Sequence, residues 1–179
     1  VQLLEPQSRN LITHSEDFSD TSWRKAIQGN GLAPIVTNNY AISPNGSLTA
    51  SRVVFNTVDT SSGSRSSLVF DYAFGIGETY VISFYAKSTN GTNQVLQFRL
   101  ADTQFGSEFI VDDAWRKYEA TITTTSTGTG EFGIQLRGDN SSTESDILVW
   151  GAQLEEQSYA TSYIPTSGAT ATREAETLS

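Results

Sequence analysis

The stretch from Thr79 to Ser88 alternates without a break, with Tyr80, Ile82, Phe84 and Ala86 on one side and Val81, Ser83, Tyr85 and Lys87 on the other. A period of two marks a strand with one buried face; a helix repeats its apolar face every three to four residues instead. The pattern returns in Gln94–Ala101, where Leu96, Phe98 and Leu100 oppose Val95, Gln97 and Arg99. It returns again in Glu131–Arg137, where Phe132, Ile134 and Leu136 oppose Gly133, Gln135 and Arg137. Runs rich in β-branched and aromatic residues at Ser47–Asn56, Ser66–Tyr72, Ser107–Val111, Trp115–Thr125 and Asp146–Leu154 bring the predicted strands to eight. Between them lie turn formers such as Ser43-Pro44-Asn45-Gly46, Gly75-Ile76-Gly77 and Asn90-Gly91. Helix formers concentrate only in Arg173–Leu178, too short to hold a helix alone.

Strands of this kind pair into an all-β, two-sheet antiparallel sandwich, and eight of them match a jelly roll. Lettered B to I in chain order, B, I, D and G then form one sheet and C, H, E and F the other. That wiring puts Gln97 and Arg99 of strand E beside Gln135 and Arg137 of strand H on an outer face. Strand C adds Ser67, Val69 and Asp71 to the face, and strand F adds Glu108 and Ile110. Planar amides, guanidinium forks and carboxylates in such density suit neighbouring sugar hydroxyls or a sugar carboxylate. The alternative is an ordinary solvated face with cross-strand pairing, for example Glu108 with Arg99.

A sugar site usually adds an aromatic platform for the apolar side of the ring. Tyr72, Phe74, Phe105 and Tyr40 are the candidates, with Tyr72 nearest the polar face in sequence. Trp23, Trp115 and Trp150 are expected in the core or at a seam.

Composition narrows the function. The 179 residues carry 37% hydrophobic, 11% aromatic and only 17% charged residues, and Ser and Thr fill about a quarter of the chain. A net charge of -9 opposes phosphate contacts, so no nucleic-acid partner is expected. No apolar run reaches the ~20 residues of a membrane helix, so no membrane insertion is expected. The absence of Cys removes disulfides, thiolate metal sites and a thiol nucleophile, and the single His14 removes any multi-histidine centre. No G-x-S-x-G elbow occurs, and the adjacent acids Asp112-Asp113 and Glu155-Glu156 would point to opposite sides of a strand, so an enzyme is not expected. Val1–Asn10 lacks the cationic and apolar stretches of a signal peptide, and the absence of Met predicts a segment of a longer polypeptide.

The ends of the chain carry a resemblance. Asn10-Leu11-Ile12-Thr13-His14-Ser15-Glu16-Asp17-Phe18-Ser19-Asp20 with Trp23 resembles the opening of carbohydrate-binding-module-like domains of phage tail fibres and tail proteins. Val149-Trp150-Gly151-Ala152-Gln153-Leu154-Glu155-Glu156, followed by Tyr159-Ala160-Thr161-Ser162-Tyr163-Ile164-Pro165-Thr166 and Ala171-Thr172-Arg173, is similar to their closing signature. Tyr80–Lys87 and Trp115-Arg116-Lys117-Tyr118 look like the middle strands of galactose-binding-like jelly rolls.

The resemblance implies a non-catalytic, extracellular or virion-tail module that binds a polysaccharide or bacterial surface glycan, often within a homotrimeric fibre. It implies no required cofactor. Related modules do hold a structural calcium between the first and last strands, for which Glu16, Asp17, Asp20 and Asp146 are the oxygen donors at hand. The expected organisation is an N-terminal extension at 1–9, a jelly-roll domain at 10–166 and a C-terminal tail at 167–179. The competing function is a structural or oligomerisation domain of a virion tail or decoration protein, without a sugar ligand.

Overall fold

The computed structural model describes residues 4–101, 104–140 and 142–177, with the side chains of Gln104, Phe105 and Asn140 outside that description. Strand β1 spans Ser8–Asn10, β2 Trp23–Gln28, β3 Gly31–Ala41, β4 Ala50–Thr57, β5 Arg65–Phe74 and β6 Thr79–Ser88. Next come β7 Gln94–Leu100, β8 Gln104–Val111, β9 Arg116–Thr123, β10 Gly128–Arg137, β11 Glu144–Glu155 and β12 Ala171–Arg173. Among the described residues the only helical turn is a short 3₁₀ segment, Gly138–Asn140.

Two five-stranded sheets form the sandwich, ordered β2-β5-β10-β7-β8 and β3-β4-β11-β6-β9. The expected strands B, I, D and G are β4, β11, β6 and β9, adjacent in that order, and C, H, E and F are β5, β10, β7 and β8. The jelly-roll wiring is present, and every pairing within the two sheets is antiparallel.

The structure adds a strand to one edge of each sheet. The β2–β3 hairpin straddles the sandwich, with β2 pairing β5 in one sheet and β3 pairing β4 in the other. Neither strand stands out in the sequence, because β3 covers no continuous core stripe: Leu32, Ile35 and Tyr40 are exposed, and its pairing shifts register twice. Gly31 sits where the hairpin crosses. A Cβ there would lie 1.7 Å from the Arg65 carbonyl oxygen, so only glycine lets the two backbones approach.

The segments expected as extension and tail meet: β1 and β12 pair antiparallel through Ser8–Arg173, Arg9–Thr172 and Asn10–Ala171.

The core lies between the sheets and is built from the inward halves of the alternating runs. Phe132 and Leu96 of one sheet and Ile82 and Leu154 of the other are all fully buried. Tyr80 and Phe132 meet across the sandwich with ring centroids 5.6 Å apart. Phe84, Phe98, Phe109 and Tyr118 form a second aromatic knot, with Phe98 and Phe109 at 4.5 Å. Tilted pairs of this kind contribute beyond the area they bury.

Candidate functional site

A sandwich has two outer faces, and this chain covers much of one itself. Gly151 takes the left-handed conformation (φ 64°) and the pairing of β11 with β6 shifts register between Trp150 and Gln153. Trp150 lies outward by the alternation that turns Val149 inward, beside Tyr85 (5.5 Å) and under Tyr163 (4.5 Å). The bulge after it resets the alternation so that Ala152 and Leu154 face the core and Gln153 faces outward. The chain after β11 then folds back over that face. The Gln153 side chain accepts from the Ile164 N–H at 2.7 Å, and Lys117 Nζ donates to the Thr161 carbonyl at 2.7 Å. Tyr163 meets Ser15 through its hydroxyl at 2.6 Å. The closing signature is therefore a structural clasp. Trp150 and Trp23 are buried, with their indole N–H groups donating to Thr49 Oγ1 and the His14 carbonyl; Trp115 is half-buried.

The opposite face, on β2-β5-β10-β7-β8, carries the polar cluster. Register sets it in rows. Ser67 of β5, Gln135 of β10 and Gln97 of β7 lie side by side, flanked by Ala26 on β2 and Glu108 on β8. One row along lie Arg24, Val69, Gly133 and Arg99; on the other side Gln28, Arg65 and Arg137 align. The structure thus brings Gln97, Arg99, Gln135 and Arg137 together as the alternation required. Asp71 joins them opposite Glu131, and Glu108 stands at the exposed β8 edge.

The cluster is closely engaged. Gln135 is fully buried and donates through Nε2 to Gln97 Oε1 at 2.8 Å, while Ser67 Oγ reaches Gln135 Oε1 at 3.4 Å. Arg24 from β2 grips both Asp71 oxygens at 2.8 Å and reaches Glu131 at 2.5 Å. Arg99, only 7% exposed, pairs with Glu131 from the other side. Two guanidiniums converging on one carboxylate roof the small residues Val69 and Gly133 below them. Arg137 pairs with Asp139 at 3.0 Å and donates to the Ser62 carbonyl at 3.2 Å.

The expected Glu108–Arg99 pair is replaced by Arg99–Glu131, because Gln97 and not Arg99 stands opposite Glu108. Arg24, Arg65 and Glu131 were missed as members of the face. Parity marked Glu131, which shares its side of β10 with Gly133, Gln135 and Arg137. Arg24 lies on an unexpected strand, and Arg65 one residue outside the expected bounds of β5.

Three of the aromatic candidates, Tyr72, Phe74 and Tyr40, do not reach this face. Tyr72 shares the inward side of β5 with Leu68 and Phe70, half-buried and edge-on to Tyr80 at 5.8 Å. It borders a depression of about 390 Å³ beside the paired β1 and β12, with Arg9 and Glu156. Phe74 is buried, and Tyr40 lies on the other sheet beneath Arg52. The Phe105 side chain lies outside the described residues.

Burial alone would raise the Glu131 carboxyl, but the hydrogen bond from Arg24 and the charge of Arg99 outweigh it and hold it below its ordinary 4.5. Asp17 is likewise held below 3.8: burial opposes, and donors from Ser19, Asn38 and Asp20 prevail. A carboxyl with a depressed folded value stabilises the protein above its unfolded value, and that stability is lost as pH falls through the folded one. The melting temperature is therefore expected to stay level from about pH 7 to about pH 5 and to fall as the pH drops below the ordinary carboxyl values of 4.5 and 3.8. Thermal melts across that range check it; a rise on acidification contradicts it.

The acids considered for calcium are committed elsewhere. Asp146 receives Arg52 through both oxygens, Asp17 caps its own turn, and Asp20 accepts from the Ser22 N–H at 2.8 Å. Glu16 accepts from Tyr163 at 3.0 Å. Among the described residues no three His, Asp or Glu side chains assemble as a metal site. His14 has Asp20, Thr13 and Ser22 all at Nδ1, at 3.2, 3.2 and 3.4 Å. A nucleophile triad needs the acid and the hydroxyl on different ring nitrogens.

No protein-family model matches the sequence, and no curated protein does. Solved structures do share the fold. The CBM22-1 xylan-binding domain of Paenibacillus barcinonensis Xyn10C is 16% identical, over 84% of this chain and 94% of that one, with a TM-score of 0.51. The family 11 carbohydrate-binding module from Clostridium thermocellum, complexed with a β-1,3-1,4-mixed-linked tetrasaccharide, is 11% identical over 89% and 97%, with a TM-score of 0.50. The enzymatically active domain of bacteriophage CBA120 tailspike protein 4 is 14% identical, over 81% of this chain, with a TM-score of 0.50. This chain spans 21% of that tailspike chain. Sheet order and these likenesses agree that the chain folds as a jelly roll, the fold these solved structures share with it.

Proposed function

We propose that this chain is a non-catalytic carbohydrate-binding module that takes a polysaccharide or bacterial surface glycan on the outer face of the β2-β5-β10-β7-β8 sheet. One observation carries the reading: of the two outer faces, one lies beneath the chain's own closing segment, and the other gathers Gln97, Arg99, Arg137 and their partners. Locked amides and guanidiniums fix hydrogen-bond directions before a ligand arrives, which lowers the ordering cost of binding. The likeness to carbohydrate-binding modules supports the ligand class, and the tailspike likeness supports a place on a virion tail, outside the cell. Several copies on one particle would strengthen a weak single site.

A glycan array with bacterial polysaccharides tests the proposal. Reproducible hits are expected, weakened about tenfold or more by the Arg99→Ala, Arg137→Ala double variant, since hydrogen bonds to charged groups are worth ~1.5–3 kcal/mol. A melt of the variant confirms that it folds. Wild-type binding by the double variant moves the site off this face. A blank array for folded protein turns the reading to a structural tail domain.

A further inference from the structure

The polar face holds a cleft of about 50 Å³ beside β2, lined by Arg65, Ser67, Arg99, Glu131 and Gln135. A water occupies ~10–15 Å³ on this scale, so the cleft has room for roughly three to five heavy atoms, too little for a whole sugar ring with its substituents. Its floor is polar: Gln135 and Ser67 are buried and hydrogen-bonded to each other. Arg65 and Arg99 stand diagonally across that floor, one row to either side of Gln135, on the two strands that flank β10. Two planar forks around a small planar space suit a group that is flat, accepts from both and carries negative charge.

We infer that this cleft takes the carboxylate of an acidic sugar, a uronate in a polysaccharide, between Arg65 and Arg99, with the sugar ring resting on the surface above. The inference rests on the glycan-binding reading of this face and names the ligand's class.

Among the described residues the one acid on the cleft wall is Glu131, which would repel an anion. It is already held by two guanidiniums, Arg24 and Arg99. Burial and the like charges of Arg137 and Arg99 hold the Arg65 guanidinium below its ordinary value, a repulsion that an anion between them relieves. The net charge of -9 opposes an acidic ligand at long range, but charges beyond about 8 Å are largely screened at physiological salt. The cleft therefore decides the sign of the local interaction.

Titration calorimetry on the full chain tests this. The probes are oligogalacturonate, oligoglucuronate and alginate oligosaccharides, each beside its carboxyl-reduced counterpart, with neutral xylo- and cello-oligosaccharides and a sulfated dextran. At least one uronate oligomer is expected to bind about tenfold or more tighter than its reduced form. Arg65→Gln is expected to erase that difference, while Arg116→Gln, on the other sheet and paired with Asp112, leaves it unchanged. Equal binding of acidic and reduced forms overturns the carboxylate site, as does Arg65→Gln weakening both alike. Preference for the sulfated polymer over every uronate also overturns it. If only neutral glycans bind, the inference falls and the glycan-binding reading stands; if the whole panel and the array are blank, both fall.

Discussion

Phe132→Ala is expected to lower the unfolding free energy by about 3–5 kcal/mol, the cost of truncating a buried aromatic. Phe132 has no exposed surface and sits on β10, the central strand of its sheet, between Phe70 of β5 and Leu100 of β7 in register. Its ring meets Tyr80 of the opposite sheet at 5.6 Å, so truncation opens a void where both sheets press together. Strands paired on both sides cannot collapse freely into that void, which places the cost toward the upper end. Chemical denaturation should show a lower midpoint with an unchanged slope. A loss below about 1.5 kcal/mol would show that the surrounding side chains refill the space.

Glu155→Ala is expected to cost about 3 kcal/mol and to loosen the closing segment before the sandwich itself unfolds. Glu155 is buried at the end of β11 and accepts from the Thr161 N–H at 3.0 Å, the Thr161 hydroxyl at 2.6 Å, Gln157 at 2.9 Å and the Ser8 hydroxyl. One carboxylate thus ties the N-terminal strand β1 to the segment that covers Trp150. Alanine leaves the buried Thr161 and Ser8 donors without this acceptor, and unmade buried hydrogen bonds cost more than made ones contribute. Limited proteolysis should cut the variant between residues 156 and 168 first, with a red shift in tryptophan emission as Trp150 meets water. Global unfolding with no earlier cleavage would show that the clasp and the sandwich form one cooperative unit.

Glycan binding, if it lies on the opposite face, should survive Glu155→Ala at temperatures where the sandwich remains folded. The clasp and the polar face belong to different sheets, and the hydrogen bonds of Glu155 run to Ser8, Gln157 and Thr161. The variant therefore separates the two faces experimentally.

Much of the fold was legible because side-chain direction alternates along a strand. Alternation in Gln94–Ala101 and Glu131–Arg137 fixed which residues lie on the outer side of the sheet, and with the jelly-roll wiring it placed Gln97 beside Gln135 before any coordinates. The same rule, carried one residue further, puts Tyr72 inside with Phe70 and Glu131 outside with Gly133; nearness along the chain to a strand end was the poorer guide. Strands β2 and β3 escaped because edge strands exposed over much of their length carry weak alternation, and Arg24 went unseen with them.

The sequence by itself determined the strands with a buried face and the outward side of each, which follow from a local period of two. Their division between two sheets came from the jelly-roll wiring that eight strands match. The tertiary structure alone decided which outer face stays open, that Trp150 and Gln153 bind the closing segment, and that Arg24 and Arg99 meet on Glu131. Those contacts join residues far apart along the chain, and a contact between distant residues leaves no period in the sequence to read.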